Sequence, residues 1–338
     1  MSAVAVRRAR RAPRRRLALV LTGLAAALVA AFLLRVLGGD YTVTLPDFLR
    51  ILGGEQIPGA TFILTESKLP RAVLGLLVGV GFGVAGAIFQ GTLRNPLASP
   101  DLIGVSMGAS AAAVFAIVVL DLSGTALSVA SVLGAVLVAA TIRLAAGPGA
   151  GYRLVLVGVT AAAALMAIVE YLFTRADQYD AQLALRWLTG SLNAADWPTI
   201  RALALCLAVL LPAVASTARA QRVLELGRDV ATGLGVGRTT ADVLLVVAVL
   251  LTALGVAAAG PVAFVAFAAG PVARALNGGR STLCGAALVG AVLVVLADHL
   301  AAYAIPDVNL PVGVVTGALG APFLLWLLAS GRAGRRSA

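Results

Sequence analysis

Among its 338 residues the chain has one histidine and two cysteines, and 12% of its residues are Asp, Glu, Lys or Arg. A single lysine is present, Lys68, between Ser67 and Leu69. A phosphate-binding loop needs Gly-Lys-Ser/Thr so that the lysine reaches the phosphates. Nucleotide hydrolysis by that route is therefore closed to this chain. His299 stands alone, which excludes a multi-histidine metal site within one chain. Cys206 and Cys284 are remote from each other, and each lies inside an apolar run. They read as small buried hydrophobes, not as metal ligands or a disulfide. No metal and no cofactor is expected.

Carboxylates in the middle of apolar runs are missing too. The ionisable groups Arg143, Glu170, Arg201, Asp242, Asp298 and His299 all lie near the ends of such runs. Proton relays and ion-coupled sites commonly place carboxylates at mid-membrane depth. Their absence argues against a proton-driven secondary transporter, although sodium sites can use carbonyls and hydroxyls alone. A membrane-embedded enzyme would need a catalytic constellation, and none is found.

What the chain has is apolar length. Its hydrophobic content is 60%, with a mean hydropathy of +1.00, where a soluble domain averages about 45–50% apolar residues. Ten apolar runs stand out, near 17–37, 69–93, 102–120, 125–145, 153–174, 198–217, 240–259, 261–275, 281–301 and 310–330. About 20 such residues in a helix span a hydrocarbon core of about 30 Å. The eighth run is short and interrupted by Gly260-Pro261 and Gly270-Pro271, so it reads as a broken or partial helix. The expected fold is an all-α polytopic membrane protein of about ten transmembrane helices.

The net charge of +11 does not signal nucleic acid. Seven arginines fall in the first sixteen residues and three more at 332, 335 and 336. Without those ten, sixteen basic residues face fifteen acidic ones. Basic tails beside apolar helices read as orientation, with both termini cytoplasmic, and secondarily as contact with anionic lipid. The first apolar stretch exceeds the usual length of a signal-peptide core, so a retained first helix is expected. The expected organisation is a basic tail at 1–16, one permease domain at 17–330 and a basic tail at 331–338. Within that domain, 38–67 is an external segment and 218–239 a cytoplasmic one. Pro46 to Leu52, followed by Gly53-Gly54, predicts a short external helix with a glycine stop.

Several ordered motifs carry a resemblance. They are Lys68-Leu69-Pro70-Arg71, Gly86-Ala-Ile-Phe-Gln90, Arg94-Asn95-Pro96-Leu97-Ala98 and Leu102-Ile-Gly-Val-Ser106. Gly260-Pro261 and the ending Leu310-Pro311-Val312-Gly313 continue the series. Together they resemble the FecCD permeases, the membrane subunits of BtuCD-like ABC importers for iron–siderophores, haem and cobalamin. The resemblance covers nearly the whole chain after residue 40. It departs where Gly270-Pro271 replaces the family's Pro-His, and where Ala302 stands at a position some members fill with arginine.

The resemblance implies a permease for a ferric siderophore, in the cell membrane of a bacterium. Haem or cobalamin as cargo, and a secondary transporter without ATPase, are the alternatives. The implied partners are two ABC ATPase subunits, a second permease subunit, an extracytoplasmic substrate-binding protein and membrane lipid. Leu224, Leu226, Gly227, Ala231, Leu234 and Gly235 would form the ATPase-coupling segment; a solvated cytosolic loop is the plain alternative. Lys68 and Arg71 would dock the binding protein, or else anchor the helix at the interface. Gly147, Pro148, Gly149 and Gly151, with the run that follows, would line the passage and its inner gate, as hinges or as a tight turn. Asn95, Pro96, Gly260, Pro261, Pro311 and Gly313 would be structural. His299 reads as an interfacial side chain.

Overall fold

A computed structural model describes residues 3–101, 103–147 and 151–329. Pro148, Gly149, Leu102 and the expected tail at 331–338 lie outside the described residues. Every regular element among the described residues is helical. In chain order they are α1 (Ala3–Leu37), α2 (Leu45–Leu52), α3 (Ala60–Phe62), a π-helical segment (Ile63–Lys68), α4 (Leu69–Leu93) and α5 (Val105–Val118). Then come α6 (Gly124–Ala146), α7 (Gly151–Phe173), α8 (Gln178–Thr189), α9 (Trp197–Leu224) and α10 (Arg228–Gly233). The last are α11 (Arg238–Ala259), α12 (Val265–Leu276), α13 (Leu283–Tyr303) and α14 (Val312–Ala329).

Seven of the described helical stretches are long and apolar enough to cross a membrane. The three shorter apolar helices, α5, α12 and α14, coincide with the remaining expected runs. One feature departs from the expectation. α8 is an additional helix between the fifth and sixth runs, capped by Asp177, whose carboxylate accepts from the Asp180 amide at 2.9 Å. The short helix α2 is present where Pro46 and Gly53 predict it, and Thr44 caps it.

α4 is the central element. In its continuous helical stretch from Ala60 to Leu93, 78% of the most apolar window is buried, against 6% for α1. Lipid tails are as apolar as leucine, so burial alone cannot hold helices together there; close backbone approach through small residues does. α4 meets α13 in this way. A Cβ added to Gly79 would lie 2.4 Å from the Gly290 carbonyl oxygen, and one added to Gly290 would lie 2.2 Å from that of Gly79. One turn further on, a Cβ on Gly83 would lie 2.2 Å from the Ala286 oxygen. α11 and α12 pack against other faces of α4, and α1 packs against α13.

The loops sort onto two ends. At one end Arg16 reaches the Leu276 carbonyl, Arg94 lies beside Gly227, and Arg143 pairs with Asp242. At the other, Trp197 Nε1 donates to the Thr65 carbonyl at 3.0 Å, and the Ser191 amide donates to that of Ala259 at 2.8 Å.

Substituting Gly79 with valine forces α4 and α13 apart. The expected result is loss of folded protein in detergent, read as a collapsed monodisperse peak on size exclusion. Gly23→Ala, at a site with open space around it, leaves the peak unchanged.

Candidate functional site

Three assemblies are built on α4 and its neighbours: a cavity at its Lys68 end, a junction of non-helical backbone, and a surface at its Leu93 end; these two ends are called outer and inner after the expected orientation.

The outer cavity has a volume of about 380 Å³. Arg35, Lys68, Arg71, Tyr303, Asp40 and Asp307 are among its lining residues. The π-helical segment leads into α4 and ends at Lys68. Lys68 is 4% exposed. Its Nζ donates to the Gly38 carbonyl at 2.6 Å and to that of Tyr41. Arg71, 9% exposed, donates from Nη2 to Asp298 Oδ1 at 2.7 Å. The other carboxylate oxygen of Asp298 accepts from Arg35 Nε at 2.5 Å. Arg35 also lies over the Tyr303 ring, 5.6 Å from its centroid. Two guanidiniums thus share one buried carboxylate across α1, α4 and α13. Both cations expected at this mouth are present, and both already have partners inside the chain. The exposed charges at the rim are Asp40 and Asp307.

Arg35 is absent from the expected set. Its signal was available: it is a lone charge in the last turn of an otherwise apolar run, and Asp298 is an opposite charge at another run's end. The His299 ring lies tilted against that of Tyr303 at 5.1 Å between centroids and is partly buried.

The junction lies where α8, α11, α12 and α14 meet. The chain leaves α11 at Ala259 and stays non-helical until Val265. A Cβ on Gly190 would lie 2.2 Å from the Pro261 oxygen, and one on Gly313 would lie 2.1 Å from that of Thr189. The Gly313 amide donates to the Gly190 carbonyl at 3.1 Å. Gly260 has φ +70. Such irregular backbone is tolerated at membrane depth only against protein or a water-filled cavity. Here Gly260, Pro261 and Gly313 come together, and Pro311 immediately precedes α14. α12 is the expected partial helix.

Pro271 sits inside α12. A helical residue donates its amide to the carbonyl four residues earlier, and proline has no amide hydrogen. The Phe267 carbonyl therefore loses its helical donor. Gln90 Nε2 donates to that carbonyl at 2.9 Å. A Cβ on Gly270 would lie 2.1 Å from Gln90 Oε1, so glycine there makes room for the amide. The departure Gly270-Pro271 and the Gln90 side chain form one unit.

The inner surface is α9's end, α10 and the start of α11. Gln221 Nε2 donates to the Ala87 carbonyl at 3.1 Å and ties the segment to α4. Leu224 and Ala231 are buried. Gly227 turns the chain at φ +115. Leu226, Val230 and Leu234 are 60%, 49% and 61% exposed. The six expected positions therefore divide into buried and exposed ones, with Val230 a further exposed apolar residue between Leu226 and Leu234; Gly235 is an exposed turn. Nearby, Asn95 Oδ1 accepts from the Leu97 amide at 2.9 Å and shapes the turn that includes Pro96. Asp101 accepts from the Ser106 hydroxyl, while its Oδ2 is enclosed without a partner. Burial pushes its carboxyl up to about 6, against the opposing Ser106 bond. Of the expected gate residues, Gly147 caps α6 and its carbonyl accepts from Arg143, and Gly151 begins α7.

A helical bundle of this kind, apolar throughout and closed by buried ion pairs and re-entrant backbone, is a polytopic membrane transport protein. The profile of the FecCD transport family matches residues 27–330. The chain belongs to that family. It is 36% identical over 318 residues to the ferric enterobactin transport system permease protein FepG of Escherichia coli, covering 93% of this chain and 96% of that one. It is 38% identical over 271 residues to the Fe(3+) dicitrate transport system permease protein FecD of Escherichia coli, covering 79% and 85%. The solved structure of an inward-facing metal-chelate type ABC transporter superposes with a TM-score of 0.79 at 26% identity, covering 92% of this chain and 99% of that one.

Three substitutions test these assemblies. Asp298→Ala leaves two buried guanidiniums without their carboxylate and is expected to cost about 3–5 kcal/mol of stability, read as a lower melting temperature in detergent. Gln90→Leu orphans the Phe267 carbonyl and is expected to cost about 1–3 kcal/mol. Pro271→Ala restores the helical donor, so the double variant is expected to recover much of that loss; additive losses would contradict the pairing.

Proposed function

We propose that this chain is the transmembrane permease subunit of an ATP-driven ABC importer for a ferric siderophore. The observation that carries this reading is the set Leu226, Val230 and Leu234: apolar, exposed and close in sequence on a segment tied to α4 by the Gln221 bond. A solvated loop has no need of three exposed apolar side chains so close together. The chain has no lysine in a phosphate-binding loop, so the energy must enter through another subunit. Two ATPase subunits would grip this surface in a pair of permeases. The cargo follows from the relatives, whose names specify ferric enterobactin and ferric citrate.

Ten crossings, with both termini in the cytoplasm, fit the sorting of loops. Arg16, Arg94, Arg143 and Arg222 lie at one end, and Asp40, Asp47, Asp177 and Asp196 lie in loops or helix starts of the other. The cell membrane is the site of action. An extracytoplasmic binding protein docks at the outer cavity. Lys68 and Arg71 supply its positive charge from below the surface, held in place by Asp298 and the Gly38 and Tyr41 carbonyls. Gly147, Pro148, Gly149 and Gly151 flank the inner end of the passage.

Co-purification with the cognate ATPase is the test, followed by ATPase activity in liposomes with binding protein loaded with ferric chelates. Stimulation by a ferric siderophore is expected. Leu226→Asp and Leu234→Asp are expected to reduce it by about tenfold or more, with permease folding intact. A chain that transports a chelate with no ATPase partner overturns the proposal in favour of a secondary transporter.

A further inference from the structure

The eight residues of α2 divide among three sides. At about 100° per residue, Phe48 and Ile51 lie together on one side, and Leu45, Leu49 and Leu52 fall within about 60° on a second. Pro46, Asp47 and Arg50 make the third. The first side is buried. Phe48 and Ile51 belong to an apolar cluster with Val36, Val43, Leu64 and Ala72, and Phe32, Leu33 and Leu37 of α1 pack against it. The third side is polar, with Arg50 exposed and 4.0 Å from Asp47. The second side is apolar and open: Leu45, Leu49 and Leu52 are 49%, 59% and 56% exposed.

Single exposed leucines are ordinary on a protein surface. Three on one side of an eight-residue helix are not scattered. A helix at the rim of a soluble protein meets two environments, core and water, and its water side is polar. α2 has a third side, about 100° round from the buried one and about 140° round from the polar one.

The depth of α2 says what the third environment is. The Val43 amide donates to the Leu37 carbonyl at 3.0 Å, at the end of α1, and α2 starts two residues later. Two residues reach at most about 7 Å. The cluster that holds Phe48 and Ile51 is packed on the last two turns of α1, from Phe32 to Leu37. α2 therefore lies level with the end of an apolar helix long enough to span a membrane. α1 is also the least buried of the long apolar helices, and Leu34 in its last turn is exposed. The edge of the bundle beside α2 is open to lipid.

We propose that α2 is an interfacial helix, seated on the hydrocarbon of the leaflet at the outer end, with Leu45, Leu49 and Leu52 immersed and Asp47 and Arg50 turned to water. Helices of this kind bury their apolar side about 5–10 Å into the boundary between headgroups and acyl chains. One Asp faces one Arg within α2, so the seat rests on apolar area and needs no anionic lipid. The helix also braces the outer cavity. Residues 38–44, which join it to α1, supply the Gly38 and Tyr41 carbonyls that accept from Lys68 Nζ. A substrate-binding protein or a second copy of this chain is the competing occupant of the leucine side. Lipid is favoured by depth, since α2 lies level with turns of α1 whose own flank is open.

The test uses the full chain with Cys206→Ala and Cys284→Ala, to which Leu49→Cys, Leu52→Cys or Arg50→Cys is added singly and labelled with a nitroxide. In phosphatidylcholine nanodiscs, oxygen concentrates in the hydrocarbon and a water-soluble nickel chelate is excluded from it. The ratio of oxygen to nickel collisions is expected to be about tenfold higher at positions 49 and 52 than at 50, and unchanged in about 0.5 M NaCl. Equal ratios at the three positions overturn the proposal, and shielding of 49 and 52 by added binding protein would then assign the side to that partner. Labels at 49 and 52 that are closed to both reagents also overturn it, because a second copy of the chain would be covering them.

Discussion

Close backbone approach between α4 and α13 is the constraint on which the rest of this molecule depends. In a hydrocarbon solvent, apolar side chains gain nothing by leaving lipid for protein, so helices adhere through dispersion and fit. Gly79 and Gly290 bring two backbones nearer than any Cβ would allow. On another side of the same helix, a Cβ on Gly86 would run into the Ala266 carbonyl. A helix gripped this way on several faces has no freedom to slide. Arg71 at its outer end and Gln90 and Gly91 at its inner end are therefore set by the same contacts.

Polar groups enter this bundle where their partners are supplied. Asp298 has two guanidiniums, and each of those rides on a different helix from its own. A charge buried without that pairing would cost several kcal/mol. The Phe267 carbonyl, released by Pro271, has Gln90. The Thr65 carbonyl, in the π-helical segment where the regular helical ladder is interrupted, has Trp197. In each case a break in regular structure is met by one side chain from a distant part of the sequence. The bundle's apolar bulk is generic, but these pairings fix which helix lies against which.

This separates what was legible in the sequence from what was not. Run length and hydropathy mark the apolar helices, because a spanning helix needs nothing beyond its own residues to satisfy its backbone. Glycine and proline punctuation marked the partial helix α12 and the stop of α2 for the same local reason. α8 was missed: its sequence, Gln178 to Thr189, mixes polar and apolar residues, and its helix is set by Asp177 at one end and Gly190 at the other. Arg35 was missed because its meaning lies 263 residues away at Asp298. Burial of Lys68 and Arg71 was equally unreadable. A cation at a helix mouth looks the same in sequence whether it faces solvent or an internal carbonyl. The inner segment was recognisable as a unit, but its division into buried Leu224 and Ala231 and exposed Leu226 and Leu234 needed the fold.

The same packing limits how the chain can move. α4, α13, α11 and α12 share close contacts, while α6, α7 and α9 bury only 22%, 17% and 22% of their most apolar windows. α7 follows Gly147, whose φ of +71 places a flexible residue at its inner approach. Packed cores shift between discrete arrangements and do not deform continuously. The lightly buried helices are therefore held less by the rest of the chain than α4 is. α9 belongs to that group and runs directly into the segment that carries Leu226, Val230 and Leu234. The far end of α9 begins at Trp197, which donates to the π-helical segment at Thr65. One of the lightly buried helices thus touches both the inner surface and the outer mouth.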